Sequence, residues 1–108
     1  MKTYEGLREG YAVIVTVNAR PLNPRLDLWN HSPTGFEWGY GGSGPAQLAL
    51  ALLADHLGDD QEALNLYQRF KWTVVATLPR RGWTLISRDI EEALERIRNE
   101  RVAAGGVA

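Results

Sequence analysis

The stretch "GGSGPAQLALALLADHLG" (residues 41–58) decides how the rest of the chain is read. From Ala46 to Leu57 it is apolar almost all round and lacks the polar stripe of a surface helix. A helix of that kind belongs at the centre of a core. Pro45 suits the first helical position, where its missing N–H would have no partner in any case. Gly44 then becomes the N-cap and Gln47 the third helical residue. Gly58 stands where a left-handed residue ends a helix. The remaining elements must pack around this one.

Just before the helix, "GFEWGY" (35–40) alternates, with Phe36, Trp38 and Tyr40 on one side and Gly35, Glu37 and Gly39 on the other. A period of two predicts a strand, and bare glycines on one face admit a ligand or a second backbone. Further upstream, "YAVIVTVN" (11–18) is β-branched and apolar and predicts a buried strand, with "YEGLREG" (4–10) as a hairpin partner. Between them, "ARPLNPRLDLWNHSPTG" (19–35) is broken by prolines and asparagines. It reads as a long loop with a short extended piece at Leu26–Leu28.

Downstream, Asp59 and Glu62 form a D-x-x-E capping pair for a second helix. Ala63, Leu66, Tyr67, Phe70, Val74 and Leu78 follow at helical spacing, and Pro79 ends the element. Its second half, "WTVVATL" (72–78), is β-branched enough to read as a strand instead. "GWTLI" (82–86) is a short extended piece, and Ser87 caps a last helix whose stripe is Ile90, Ala93, Leu94 and Ile97. The expected fold class is α+β: a small antiparallel sheet of about three strands packed against about three helices. It forms a single domain over residues 4–102, with 103–108 as a flexible tail.

Composition narrows the function classes. With no cysteine, disulfides, thiolate zinc sites and cysteine nucleophiles are excluded, in keeping with a reducing, cytoplasmic setting. A net charge of −1 and a pI of about 6.1 argue against non-specific nucleic-acid binding. The longest apolar run, "LALALLA" (48–54), is too short to cross a bilayer, and the opening "MKTYEGLREG" has no apolar core of a signal peptide.

The blocks "HSPTGFEWGYGGSGPAQLALALLADHL", "YQRFKW", "LPRRGWTL" and "DIEEAL" resemble a family of small uncharacterised proteins found in bacteria and on mobile elements such as phages and plasmids. The resemblance runs from Tyr4 to about Leu94. It brings no catalytic residues and no cofactor. It implies a standalone intracellular domain that binds a host protein or a small signalling molecule.

Two kinds of site are legible in the residues. The first is the glycine-rich turn into the central helix, where unpaired N–H groups attract anions. Gly41, Gly42, Ser43 and Gly44 would form it, with His31, Ser32 and Glu37 beside it. Arg69, Arg80 and Arg81 would supply the positive charge that the turn lacks. The ligand would be a nucleotide or another anionic small molecule. The plainer reading is a tight connection that packs helix against sheet. The spacing is neither a Walker loop nor G-x-G-x-x-G. A serine nucleophile at Ser43 fails because Pro45 stands where an elbow needs glycine. Glu37 either faces solvent or accepts hydrogen bonds from a ligand, from Arg20 or from Arg25. His56, near Asp55, reads as a cation at the helix C-terminus. His31 and His56 lack paired ligand spacing, so no metal site is expected.

The second candidate is an aromatic and basic surface formed by Trp29, Lys71 and Trp72. Surface tryptophans are enriched at interaction hot spots. At least two of the four tryptophans are expected in the core. With no assembled acid, base or nucleophile, the chain reads as a non-enzymatic binding protein for a protein partner, with a homodimer as a further option.

Overall fold

Alternation in the first two strands sets the sheet. In the computed structural model, which describes residues 1–107 and side chains through Glu100, β1 (Thr3–Glu9) turns Tyr4 and Gly6 inward and Glu5, Leu7 and Glu9 outward. The flexible tail expected at 103–108 falls outside the residues whose side chains are described. β2 (Ala12–Val17) pairs antiparallel with β1, Tyr4 opposite Val17 and Glu9 opposite Ala12. The two-residue β3 (Arg20–Pro21) adds to β2, and β4 (Gly82–Ile86) adds to the other side of β1, giving the order β3-β2-β1-β4. The antiparallel sheet therefore has four strands rather than about three. β2 was expected to be buried, but only Val15 is; Ile14 faces out, because helices cover one face of the sheet only.

Three helices make up the other layer. α1 (Ser43–Leu57) is buried from Gly44 to Ala54, and Gly58 closes it in the left-handed conformation at φ 64°. α2 (Asp60–Thr73) starts on Asp59, whose carboxylate accepts from the Glu62 N–H, and buries Ala63, Leu66, Tyr67 and Phe70. α3 (Ser87–Val107) buries Ile90, Ala93, Leu94 and Ile97. These helices share one core with Tyr4, Val15, Trp38 and Trp83. Tyr4 reaches from the sheet to α1, donating from Oη to the Asp55 carboxylate at 2.8 Å.

Several local expectations need correction. Residues 35–40 form no strand. Gly35 and Gly39 sit at φ 132° and 86°, which breaks an extended run, and the Gly39 N–H donates to Val75 O instead of to a strand neighbour. α1 begins two residues earlier than expected. Gly42 is the extended N-cap, and Ala46 N–H closes the first helical bond on its carbonyl. Pro45 is tolerated in that first turn because no partner for an N–H exists there either. Leu26–Leu28 is a turn closed by Leu28 N–H on Arg25 O. The stretch 72–78 is neither strand nor continued helix: α2 stops at Thr73 and a single 3₁₀ turn, Val75–Thr77, follows. Ser87 is the first helical residue, not the cap; its Oγ accepts from Lys2 N–H, and Asp89 reaches back to the Ile86 N–H.

Candidate functional site

Gln47 organises the region before α1. Its side chain is fully buried, yet all its hydrogen-bonding capacity is met by one loop. Oε1 accepts from the N–H groups of His31 and Ser32 at 2.8 and 3.1 Å, and Nε2 donates to the carbonyls of Pro24 and Trp29 at 2.6 and 3.0 Å. The proline-broken loop thus hangs from one amide on the central helix. Its sequence could not reveal this, since glutamine on an apolar helix carries no pattern of its own.

The glycines of the turn admit the protein's own side chains. A Cβ on Gly41 would lie 2.1 Å from the Trp72 ring, one on Gly42 2.7 Å from the Tyr40 ring, and one on Gly44 2.7 Å from Glu37 Cβ. Close packing of aromatics around a helix start is what these positions require. No side chain caps α1.

Beside the turn lies an open cleft of about 530 Å³, walled by the β1–β2 turn, the loop 32–37 and the start of α1. Ser32, Glu37, Ser43 and Gly44 line it together, with Tyr11, Thr34 and Tyr40, which sequence reasoning missed. His31, Gly41 and Gly42 do not line it, nor do Arg69, Arg80 and Arg81. Arg69 instead pairs with Glu100, and the Arg80 stem packs near Gly39.

Glu37 is held by neither Arg20 nor Arg25. Arg8 grips it through two parallel hydrogen bonds of 2.9 and 2.7 Å and lies over the Trp38 ring, 4.9 Å from its centroid. Such a fork fixes geometry as well as charge. The Arg8 guanidinium holds the Glu37 carboxyl below the usual range, with Arg80 contributing weakly. Arg25 is occupied elsewhere, by Asp27 and Asp60. The signal for Arg8 was available: it falls on the same strand face as Tyr4 and Gly6, and an inward arginine needs an acid.

On the α2 side of the turn, the exposed Trp29 and Trp72, the half-buried His31 and the buried Tyr67 form a ridge. Trp29 stacks on His31 with ring centroids 5.8 Å apart, and His31 lies 5.4 Å from Tyr67, its Nε2 2.7 Å from Tyr67 Oη. One helical turn on, the Lys71 ammonium rests 4.6 Å from the centre of the Trp72 ring, which in turn covers Gly41. Burial first, and the Lys71 charge second, hold the His31 imidazole below its ordinary pKa. Trp29 and Trp72 remain 58% and 60% exposed although both are packed from beneath, whereas Trp38 and Trp83 are in the core. His56 lies against Glu91, an acid on α3, and not at a helix end alone. Among the described residues no cluster of His, Asp and Glu is arranged to hold a metal, and no helix is long and apolar enough to cross a membrane.

Fold and site together define a small α+β protein whose distinguishing part is a glycine turn packed with aromatics at the start of a buried helix. The chain belongs to the family of unknown function DUF6166, which matches residues 4–96. Comparison with curated proteins and with solved structures finds no match.

Proposed function

We propose that this is a non-enzymatic binding protein that acts by occupying a protein partner through the ridge of Trp29, His31, Tyr67, Lys71, Trp72 and Tyr40. One observation carries the reading: two tryptophans stand more than half exposed while their positions are fixed from beneath, Trp29 by the His31 stack and Trp72 by Gly41. Rigid, exposed aromatics lose little freedom on binding and supply large contact area. The partner in this reading is a host protein met in the cytoplasm, consistent with carriage on a phage or plasmid.

The test places a photoreactive benzoylphenylalanine at Tyr40, on the ridge, and at Thr16, on the outer sheet face. A protein that crosslinks from position 40 and not from 16, and that once purified binds the wild-type chain but not Trp29→Ala or Trp72→Ala, supports the reading. Binding that survives both substitutions overturns it.

A second reading places an anionic small molecule, such as a nucleotide, in the cleft. It is favoured by the uncapped start of α1 beside Ser32 and Ser43. The Glu37 carboxylate in the same wall weighs against it. A panel of nucleotides in a thermal-shift assay decides: a ligand at 100 times its Kd adds about 2.7 kcal/mol of stability, and a flat panel removes the reading.

A further inference from the structure

Lys71 is the one feature of the ridge that close packing does not explain. The residue is only 9% exposed, so its stem is packed, while its ammonium stands at the surface. Among the described residues, the Lys71 ammonium has no carboxylate in ion-pair range and no hydrogen-bond acceptor; what it touches is the face of Trp72. Arg8, Arg25 and Arg69, by contrast, each already hold an acid. A lysine whose stem is packed and whose ammonium reaches the surface on the face of an exposed tryptophan, with no acid beside it, is open to an ion pair with a partner.

We propose that the Lys71 ammonium anchors a carboxylate of the partner, an aspartate or glutamate presented beside an apolar side chain that lies on Trp29 and Trp72. The inference rests on the ridge being the binding surface and names the chemistry it selects. A single positive charge on the face of one exposed tryptophan matches one carboxylate with an apolar neighbour. A dianionic phosphate would demand a second cation, and burial and the Lys71 charge both disfavour a proton on the nearby imidazole of His31. Docking of the carboxylate leaves the cation–π contact in place, so the ammonium gains an ion pair, and the docked partner screens it from water, without loss of its existing neighbour.

The experiment selects a displayed library of random dodecapeptides against the full chain. Chosen peptides are then synthesised and their Kd measured by fluorescence polarisation on wild type, Lys71→Met, Trp29→Ala and Trp72→Ala. Selected peptides are expected to carry Asp or Glu next to an apolar residue. Replacing that acid by its amide in the peptide should weaken binding to the wild-type chain tenfold or more, and to Lys71→Met less than twofold. The peptide-side substitution keeps the test valid even where Lys71→Met folds poorly. Peptides that need Trp29 and Trp72 but are indifferent to both the acid and Lys71 overturn the carboxylate anchor and leave the ridge standing. If no peptide binds, or binding ignores the tryptophans, the ridge fails and the anchor with it. Inorganic phosphate that displaces the peptides at far lower concentration than acetate also overturns the proposal.

Discussion

The N–H of His31 donates to Gln47 Oε1 at 2.8 Å, sixteen positions along the chain and across the boundary between loop and core. That bond and its three companions explain how a loop with three prolines between residues 21 and 33 holds a fixed shape. Gln47→Leu would keep the volume and remove all four bonds at once, leaving two carbonyls and two N–H groups in the buried layer. Each unsatisfied buried group costs about 1–3 kcal/mol, partly relieved by water, so a loss of about 3 kcal/mol is expected. The urea midpoint should fall accordingly.

Gly6 and Trp83 face each other across β1 and β4. A Cβ on Gly6 would stand 2.3 Å from the indole ring, whose Nε1 is buried and has no hydrogen-bond partner. Trp83 also packs edge-on against Trp38, so it cannot simply swing away. Gly6→Ala should destabilise by about 1–3 kcal/mol, the usual range for overpacking, with a blue or red shift of core tryptophan emission as the accompanying sign. An unchanged midpoint would show that Trp83 has room the packing does not display.

Acid should weaken the fold through Glu37. Arg8 lowers the carboxyl's pKa, so the folded chain binds that proton more weakly than the unfolded chain. The contribution is therefore complete above the unfolded value of about 4.3 and is lost as pH falls through the lower folded value. Glu37→Gln should flatten this acid limb in urea midpoints taken from pH 6 to pH 3 while barely altering the neutral region's slope.

Trp29→Ala and Trp72→Ala remove exposed rings and should change stability by about 1 kcal/mol or less, since large effects belong to buried sites. Lys71→Met should change the melting temperature little, because the stem's packing is kept and the ammonium it removes already reaches the surface. A variant that keeps its melting temperature and loses the preference for an acidic peptide would separate a binding residue from a structural one.

The helices were legible because their apolar periods and end signals agree: Asp59 caps α2 and Gly58 ends α1 as the sequence indicates. The hairpin of residues 4–18 was legible for the same reason. "GFEWGY" misled because alternation cannot report φ, and Gly35 and Gly39 use the positive values open to glycine. Trp29, Lys71 and Trp72 were picked out together, yet their link through His31, Tyr67 and Gly41 is tertiary and leaves no local mark. Glu37 was noticed as an odd charge between glycines; its partner Arg8 lies 29 positions away and only register reveals it.

The strand at the middle of the sheet has its two neighbours supplied at very different times. β1 meets β2 across a tight turn, but its other edge waits for β4, and Lys2 is stitched to Ser87 by bonds spanning 85 positions. During synthesis the hairpin therefore spends most of translation with one unsatisfied margin, and the sheet closes only after α1 and α2 have been made and as α3 begins. A ribosome-stalled series of lengthening chains would show protease resistance arriving in a single late step.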